Sequence, residues 1–212
     1  MELLVRDLLS ADDARAALSR PQKHLTLVYV IDLVSHSVLL GYKARGFGVG
    51  KWNGFGGKVE KEDESTECAA RRELTEECGL VSRVPLTQCG ILFFHFEEEH
   101  VIPILMVHVF LVDYADCSGT VVPSEEMHPV QWFPFEQCPI RDMWADDVFW
   151  LPQLLDFCSH RSCTHEQVDT VRADNNLRGF EFAAYFKFCS FEVIERKCVK
   201  FLQKDELQAF LR

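Results

Sequence analysis

Residues 57–80 read GKVEKEDESTECAARRELTEECGL, and no other stretch restricts so tightly what this chain can fold into. Glu73, Glu76 and Glu77 lie three and four residues apart, a spacing that on a helix stacks their side chains on one face. Like charges at those offsets repel, and a solvated helix face would intersperse cations, so an acidic stripe of this kind points to a bound divalent cation. Just upstream, Gly54-Phe55-Gly56-Gly57 forms a loop in which backbone can approach a ligand closely. Oxygen donors beside an open loop, with no cysteine or histidine at the focal point, suggest magnesium holding a phosphate substrate.

Punctuation and period place this segment in a larger frame. The helix is expected from about Ser65 to Cys78, with Gly79 placed to end it. Ser10 and Asp13 open an alanine-rich run that predicts a short N-terminal helix over 10–19. Strands are expected at 24–32, 37–43, 89–96, 104–113, 129–133, 182–189 and 192–202, and a second, aromatic helix at 143–157. Mixed strands between two helices predict a three-layer α/β/α sandwich. Residues 158–180 read as a polar insert. Within it Cys158, His160, Cys163 and His165 follow no common zinc template, so a plain loop is the expectation.

From Arg72 to Leu80 the chain follows R-E-L-x-E-E-x-G-L, and here it resembles the Nudix hydrolases, whose signature is G-x5-E-x7-R-E-U-x-E-E-x-G-U with U a bulky aliphatic residue. Glu64 stands eight residues before Arg72 as that pattern requires, but six residues rather than five separate it from Gly57. The extra residue falls in the loop before the helix, where insertions are tolerated. The runs GFGVGKWNGFGGK (46–58), PIRDMWADDVFW (139–150) and YFKF (185–188), with the pair Glu126-Met127, resemble the oxidised purine nucleoside triphosphatases within that family. The resemblance implies a Nudix-type fold and magnesium-dependent hydrolysis of 8-oxo-dGTP and 2-hydroxy-dATP to monophosphate and pyrophosphate, with manganese as an alternative ion.

On that resemblance Glu73, Glu76, Glu77 and Glu126 are the metal-ligand candidates, with Glu77 and Glu126 the candidates for general base and Arg72 the residue orienting Glu73. Lys58 is placed to neutralise phosphate, and Gly56 and Gly57 form the phosphate loop. For the base, Trp144 offers a stacking face, Asn53 an amide that donates and accepts, and Asp146 and Asp147 a pair of acids. Two neighbouring carboxyls in an apolar pocket rarely both stay ionised, so one protonated and one charged acid would present a donor and an acceptor together. The competing role for these aspartates is helix N-capping. Phe47, Phe94, Phe96, Met106 and Trp150 match pocket-lining positions, of which Phe47, Phe94 and Met106 are the expected contacts. Thr26 stands where a small polar residue would reach the base.

Composition removes other classes. A formal charge of −11 argues against a nucleic-acid polymer as ligand, and 17 phenylalanines argue against disorder. Nine cysteines at irregular spacing read as reduced thiols of a cytoplasmic protein, with the nuclear or mitochondrial pool as alternatives. No apolar run reaches the length of a membrane span, so no membrane partner is expected. The expected organisation is an extension over 1–22, a catalytic domain over 23–203 and a tail over 204–212, acting as a monomer on a nucleotide. The competing functions are hydrolysis of a dinucleotide polyphosphate or nucleotide sugar, or nucleotide binding without cleavage.

Overall fold

A computed structural model describes residues 20–97, 103–161, 177–190, 192–203 and 205–211. The expected helix at 10–19 lies outside them. In chain order the elements are β1 (Gln22–Asp32), β2 (Ser37–Lys43), β3 (Trp52–Asn53), α1 (Thr66–Cys78), β4 (Leu80–Ser82), β5 (Thr87–Phe96), β6 (Ile104–Asp113), β7 (Cys117–Gly119), β8 (Met127–Pro134), α2 (Leu151–Ser159), β9 (Glu181–Ser190), β10 (Val193–Leu202) and α3 (Glu206–Leu211). Eight strands form one mixed sheet in the order β10-β9-β5-β6-β1-β2-β3, with β8 also on β2. The pairs β1–β6 and β5–β9 are parallel and the other pairs in this sheet antiparallel. β4 and β7 make a separate short ribbon.

Alternation along the strands sorts the core into two layers. Leu27, Tyr29 and Ile31 of β1, Leu92 and Phe94 of β5, and Phe182, Ala184 and Phe186 of β9 face one side, where Leu151, Leu154, Leu155 and Cys158 of α2 cover them. Val28 and Val30 face the other side, against Ala70, Leu74 and Cys78 of α1. On that same side Met106, Phe93 and Tyr185 pack with Leu207 of α3. The α/β/α sandwich is thus the observed fold, with α1 and α3 on one face and α2 on the other.

Local rules set the ends of α1. The Ser65 side chain accepts the Cys68 N–H at 3.1 Å, and Gly79, at φ 75°, turns the chain out while its N–H reaches the Thr75 carbonyl. The second helix is shorter than predicted. Residues 140–142 and 147–149 form single 3₁₀ turns, and α-helix begins only at Leu151. Pro152 explains the boundary, because a helix running through it would lack an N–H there, whereas a first turn needs none.

β1 and β2 pair only over Val30–Asp32 and Ser37–Leu39, then diverge. Into the gap runs the loop 55–59, whose backbone hydrogen-bonds to the other half of β1: Thr26 N–H to Gly57 O at 2.8 Å, Val28 N–H to Phe55 O at 2.6 Å, and Val59 N–H to His24 O at 3.1 Å. This split in the sheet opens the cleft described next.

Candidate active site

A cleft of about 520 Å³ is lined by Thr26, Lys43, Phe47, Asn53, Gly56, Gly57, Lys58, Arg72, Glu73, Glu76, Phe94, Glu126, Trp144, Asp146 and Asp147, with Leu25, Leu27, Leu92 and Val107 among its apolar walls. Residues distant in sequence thus converge into one space with an acidic end and an aromatic end.

At the acidic end, the stripe of α1 meets the loop and β2. Glu77 shares the buried face of α1 with Ala70, Leu74 and Cys78, and that stripe carries its carboxylate inward. Its Oε2 accepts the Gly56 N–H at 2.7 Å and its Oε1 the Lys43 ammonium at 3.1 Å. Lys43 also reaches Glu126 Oε1 at 2.6 Å. Burial pushes the Glu77 carboxyl up to about 7, against the pull of Lys43 and the Gly56 N–H. Burial alone would lower Lys43; Glu77 and Glu126 raise it instead. Gly56 is required by backbone proximity, since a Cβ there would lie 2.1 Å from the Thr26 carbonyl oxygen.

Arg72 holds the outer acids. Its Nη1 donates to Glu73 Oε1 at 2.8 Å and Glu76 Oε2 at 3.2 Å, and its Nη2 to the Lys58 carbonyl at 3.0 Å. Its remaining donors make a two-pronged contact with Asp63, Nε to Oδ1 at 3.2 Å and Nη2 to Oδ2 at 3.0 Å. Glu64 is exposed in the bend before α1. The acid that braces Arg72 is therefore Asp63, which five residues separate from Gly57; the extra residue lies between that acid and the helix rather than before it.

Among the described residues no three of the acids already converge on one point. They are divided among cations, Glu73 and Glu76 on Arg72, Glu77 and Glu126 on Lys43, with Arg45 also 3.7 Å from Glu126. The donor set still fits a hard divalent cation: Glu73, Glu76 and Glu126 line one end of the cleft, and Glu77 is buried behind Lys43 and Gly56 of that lining.

At the aromatic end, Trp144 is buried and Phe47 stacks on it at 4.6 Å and 24°, with Phe94 at 6.4 Å and 19°. Asn53 Oδ1 accepts the Gly54 N–H at 3.0 Å, so its amide nitrogen remains for a ligand. Thr26 lines the junction between the two ends and faces the Gly57 N–H at 3.5 Å. Asp146 and Asp147 are both buried, Asp146 Oδ2 accepting from the Trp150 indole N–H at 3.0 Å and Asp147 Oδ2 from the Trp144 N–H at 3.0 Å. Burial pushes the Asp146 carboxyl up to about 6, and burial together with the charge of Asp146 raises Asp147 as well. Neither follows the capping role: the Asp146 side chain makes no cap bond, and Trp150, which precedes α2, makes none. Asp146 Oδ1 is the one buried side-chain polar atom among the described residues without a partner.

The NUDIX domain family pattern matches residues 23–154. The chain belongs to the Nudix family. Over 139 residues it is 49% identical to the "Oxidized purine nucleoside triphosphate hydrolase" of Mus musculus, covering 64% of this chain and 83% of that protein. With the Danio rerio protein of the same name the identity is 47% over 133 residues, covering 63% and 80%. A MutT protein from Bacillus halodurans superposes with a TM-score of 0.59 at 19% identity, over 84% of this chain and 97% of that one. One from Methanosarcina mazei gives 0.51 at 19%, over 66% and 94%. These two likenesses establish the Nudix fold.

Within this Nudix fold most of the expected residues reach one cleft, and Met106 is the correction. It packs with Phe93, Ile104 and Tyr185 on the α1 side of the sheet. On β6 the neighbours Leu105 and Val107 face the cleft side, and Val107 lines the cleft. The error is one residue, which in a strand means the opposite face. Phe96 shares the Phe94 face but sits behind Phe47 at 6.2 Å, outside the cleft lining. Trp150 lies fully in the core and reaches the site through Asp146. Cys158 is also core, at the end of α2, while Cys163 and His165 lie outside the described residues. Sequence reading missed Lys43, Asp63 and Tyr29. A lysine closing a strand, an acid in an acid-rich loop and a tyrosine within an apolar strand each look ordinary until the fold gives them partners.

Proposed function

We propose that this Nudix enzyme hydrolyses oxidised purine nucleoside triphosphates, 8-oxo-dGTP and 2-hydroxy-dATP, to the monophosphate and pyrophosphate, so clearing damaged nucleotides from the pool. The observation that carries the reading is the aromatic end of the cleft: a buried acid pair beside Trp144, with one aspartate oxygen unpartnered, opening into the same space as the glutamates. A purine edge needs both donor and acceptor, and an orphaned buried oxygen is stable only if a ligand or its own proton answers it.

Nudix hydrolases use divalent metal ions, and in this chain Glu73, Glu76, Glu77 and Glu126 would hold magnesium, which when bound offsets charge on the phosphate chain. The chain's own groups do the rest. Trp144 and Phe94 fix the plane of the base, and Asn53 and the aspartates read its edge. Gly56 and Gly57 bring backbone against the phosphates, with Lys58 adding positive charge. Arg72, braced by Asp63, keeps Glu73 and Glu76 on the cleft side. Glu77, with a carboxyl near neutrality, and Glu126, with access to solvent, are the proton acceptors for the attacking water, and Lys43 between them stabilises whichever is ionised.

The test is pyrophosphate release with magnesium, comparing both oxidised triphosphates with dGTP, dATP, diadenosine polyphosphate and ADP-ribose, and with Glu77→Gln as control. Strong preference for the oxidised triphosphates, lost in the control, is the expected result. Preference for another compound keeps the hydrolase and removes the base-pocket assignment.

A further inference from the structure

Asp146 and Asp147 are adjacent and equally buried, yet their oxygens are not equally served. Asp147 accepts from the Trp144 N–H on Oδ2 and from the Tyr29 hydroxyl on Oδ1 at 3.4 Å. Asp146 accepts from Trp150 on Oδ2, and its Oδ1 has no partner. The N–H groups can only donate. Tyr29, on β1 under the pair, is fully buried with its ring edge-on to Trp150, and Asp147 is its hydrogen-bond partner among the described residues. A buried hydroxyl needs an acceptor, so its hydrogen points at Asp147. The other groups acting on Asp147 are Lys51, whose charge from the β2–β3 loop favours ionisation, and Cys138, a thiol that burial pushes up to about 12 and so keeps neutral.

We propose that Tyr29 is a specificity-determining residue: its hydroxyl biases Asp147 to the charged form and leaves the pair's proton on Oδ1 of Asp146, so that the cleft presents donor and acceptor in one fixed order. The inference rests on the oxidised-purine reading of this cleft. Repulsion between the two acids is mutual and raises whichever ionises second, so it does not assign the proton; the unequal donors do. An accepted base offers an acceptor to Asp146 and a donor to Asp147. A base with the reverse order forces the proton onto Asp147, where the Tyr29 hydrogen faces a protonated acid. At 3.4 Å the contact is long for a hydroxyl on a carboxylate, so it sets a preference between two edges and does not exclude one.

Tyr29→Phe removes the hydroxyl and keeps the ring. In the ligand-free protein, carboxyl ¹³C NMR, assigned with Asp146→Asn and Asp147→Asn, follows each acid through its titration. Asp147 should move at the lower step and Asp146 at the upper, and Tyr29→Phe should draw the two together. In turnover, the wild type should prefer one of 8-oxo-dGTP and 2-hydroxy-dATP. The ratio of their kcat/KM should then fall toward unity by about three- to tenfold in Tyr29→Phe at an unchanged melting temperature. Asp146→Asn, which keeps a donor in place, should retain the preferred substrate and lose more of the other. Asp146 ionising first, equal use of both substrates by the wild type, or an unchanged ratio in Tyr29→Phe would each overturn the proposal. Hydrolysis of neither triphosphate sinks the functional reading instead, and the titration alone then decides where the proton sits.

Discussion

Arg72 shows how much of this site depends on a single residue's partners. Five donors serve two cleft acids, one carbonyl and Asp63. Asp63→Asn should lower kcat about tenfold or more through misplacement of Glu73 and Glu76. Asp63→Glu should recover part of the loss, and Glu64→Gln should have little effect; steady-state kinetics at saturating magnesium separates these outcomes. The acid pair makes a pH prediction. In the folded chain burial raises both carboxyls, Asp146 to about 6 against 3.8 for an ordinary aspartate. The folded state therefore binds more protons than the unfolded one between those values, and its stability falls as pH rises through that window. Melting curves from pH 4 to 7 should show this decline in the wild type and a flatter profile in the Asp146→Asn/Asp147→Asn double variant.

At the scale of elements, α1 is delivered by its caps and by the loop ahead of it. Ser65→Ala should cost about 1 kcal/mol, read as a lower denaturation midpoint with the site otherwise intact. Gly56→Ala is expected to be worse, because the added carbon meets the backbone of β1 rather than a side chain that can swing away. Overpacking of that kind costs about 1–3 kcal/mol. It should also reduce turnover, since the Gly56 N–H that holds Glu77 must shift. The signature made α1 legible to within a residue: its acids, its closing glycine and its length all follow from local rules. The second helix was less legible, because 143–157 reads as one apolar, aromatic segment. Pro152 is a local sign that the α-helix starts only at Leu151; the burial of Asp146 and Asp147 in the turns before it has no such local sign.

For the whole molecule, the split between β1 and β2 brings α1, the glycine loop and the Trp144 turn to one cleft, where the acids outnumber the cations facing them. Divalent cation should thus stabilise the fold as well as activate it. At magnesium about 100 times its dissociation constant, linkage predicts a gain of about 2.7 kcal/mol, visible as a raised melting temperature that chelation reverses. Glu73→Gln/Glu76→Gln should lose most of that increment.

The sequence by itself determined the sandwich class and the acidic helix with its ends, because periodicity and short-range sterics act within a few residues; the resemblance to the Nudix hydrolases pointed to many of the residues that line the cleft. Tertiary structure alone decided which face Met106 takes, that Asp63 rather than Glu64 braces Arg72, and that Lys43 and Tyr29 sit beside buried carboxyls. Those outcomes depend on register and burial, where a shift of one residue reverses a side chain and the free energy of a charge depends on neighbours far away in the chain.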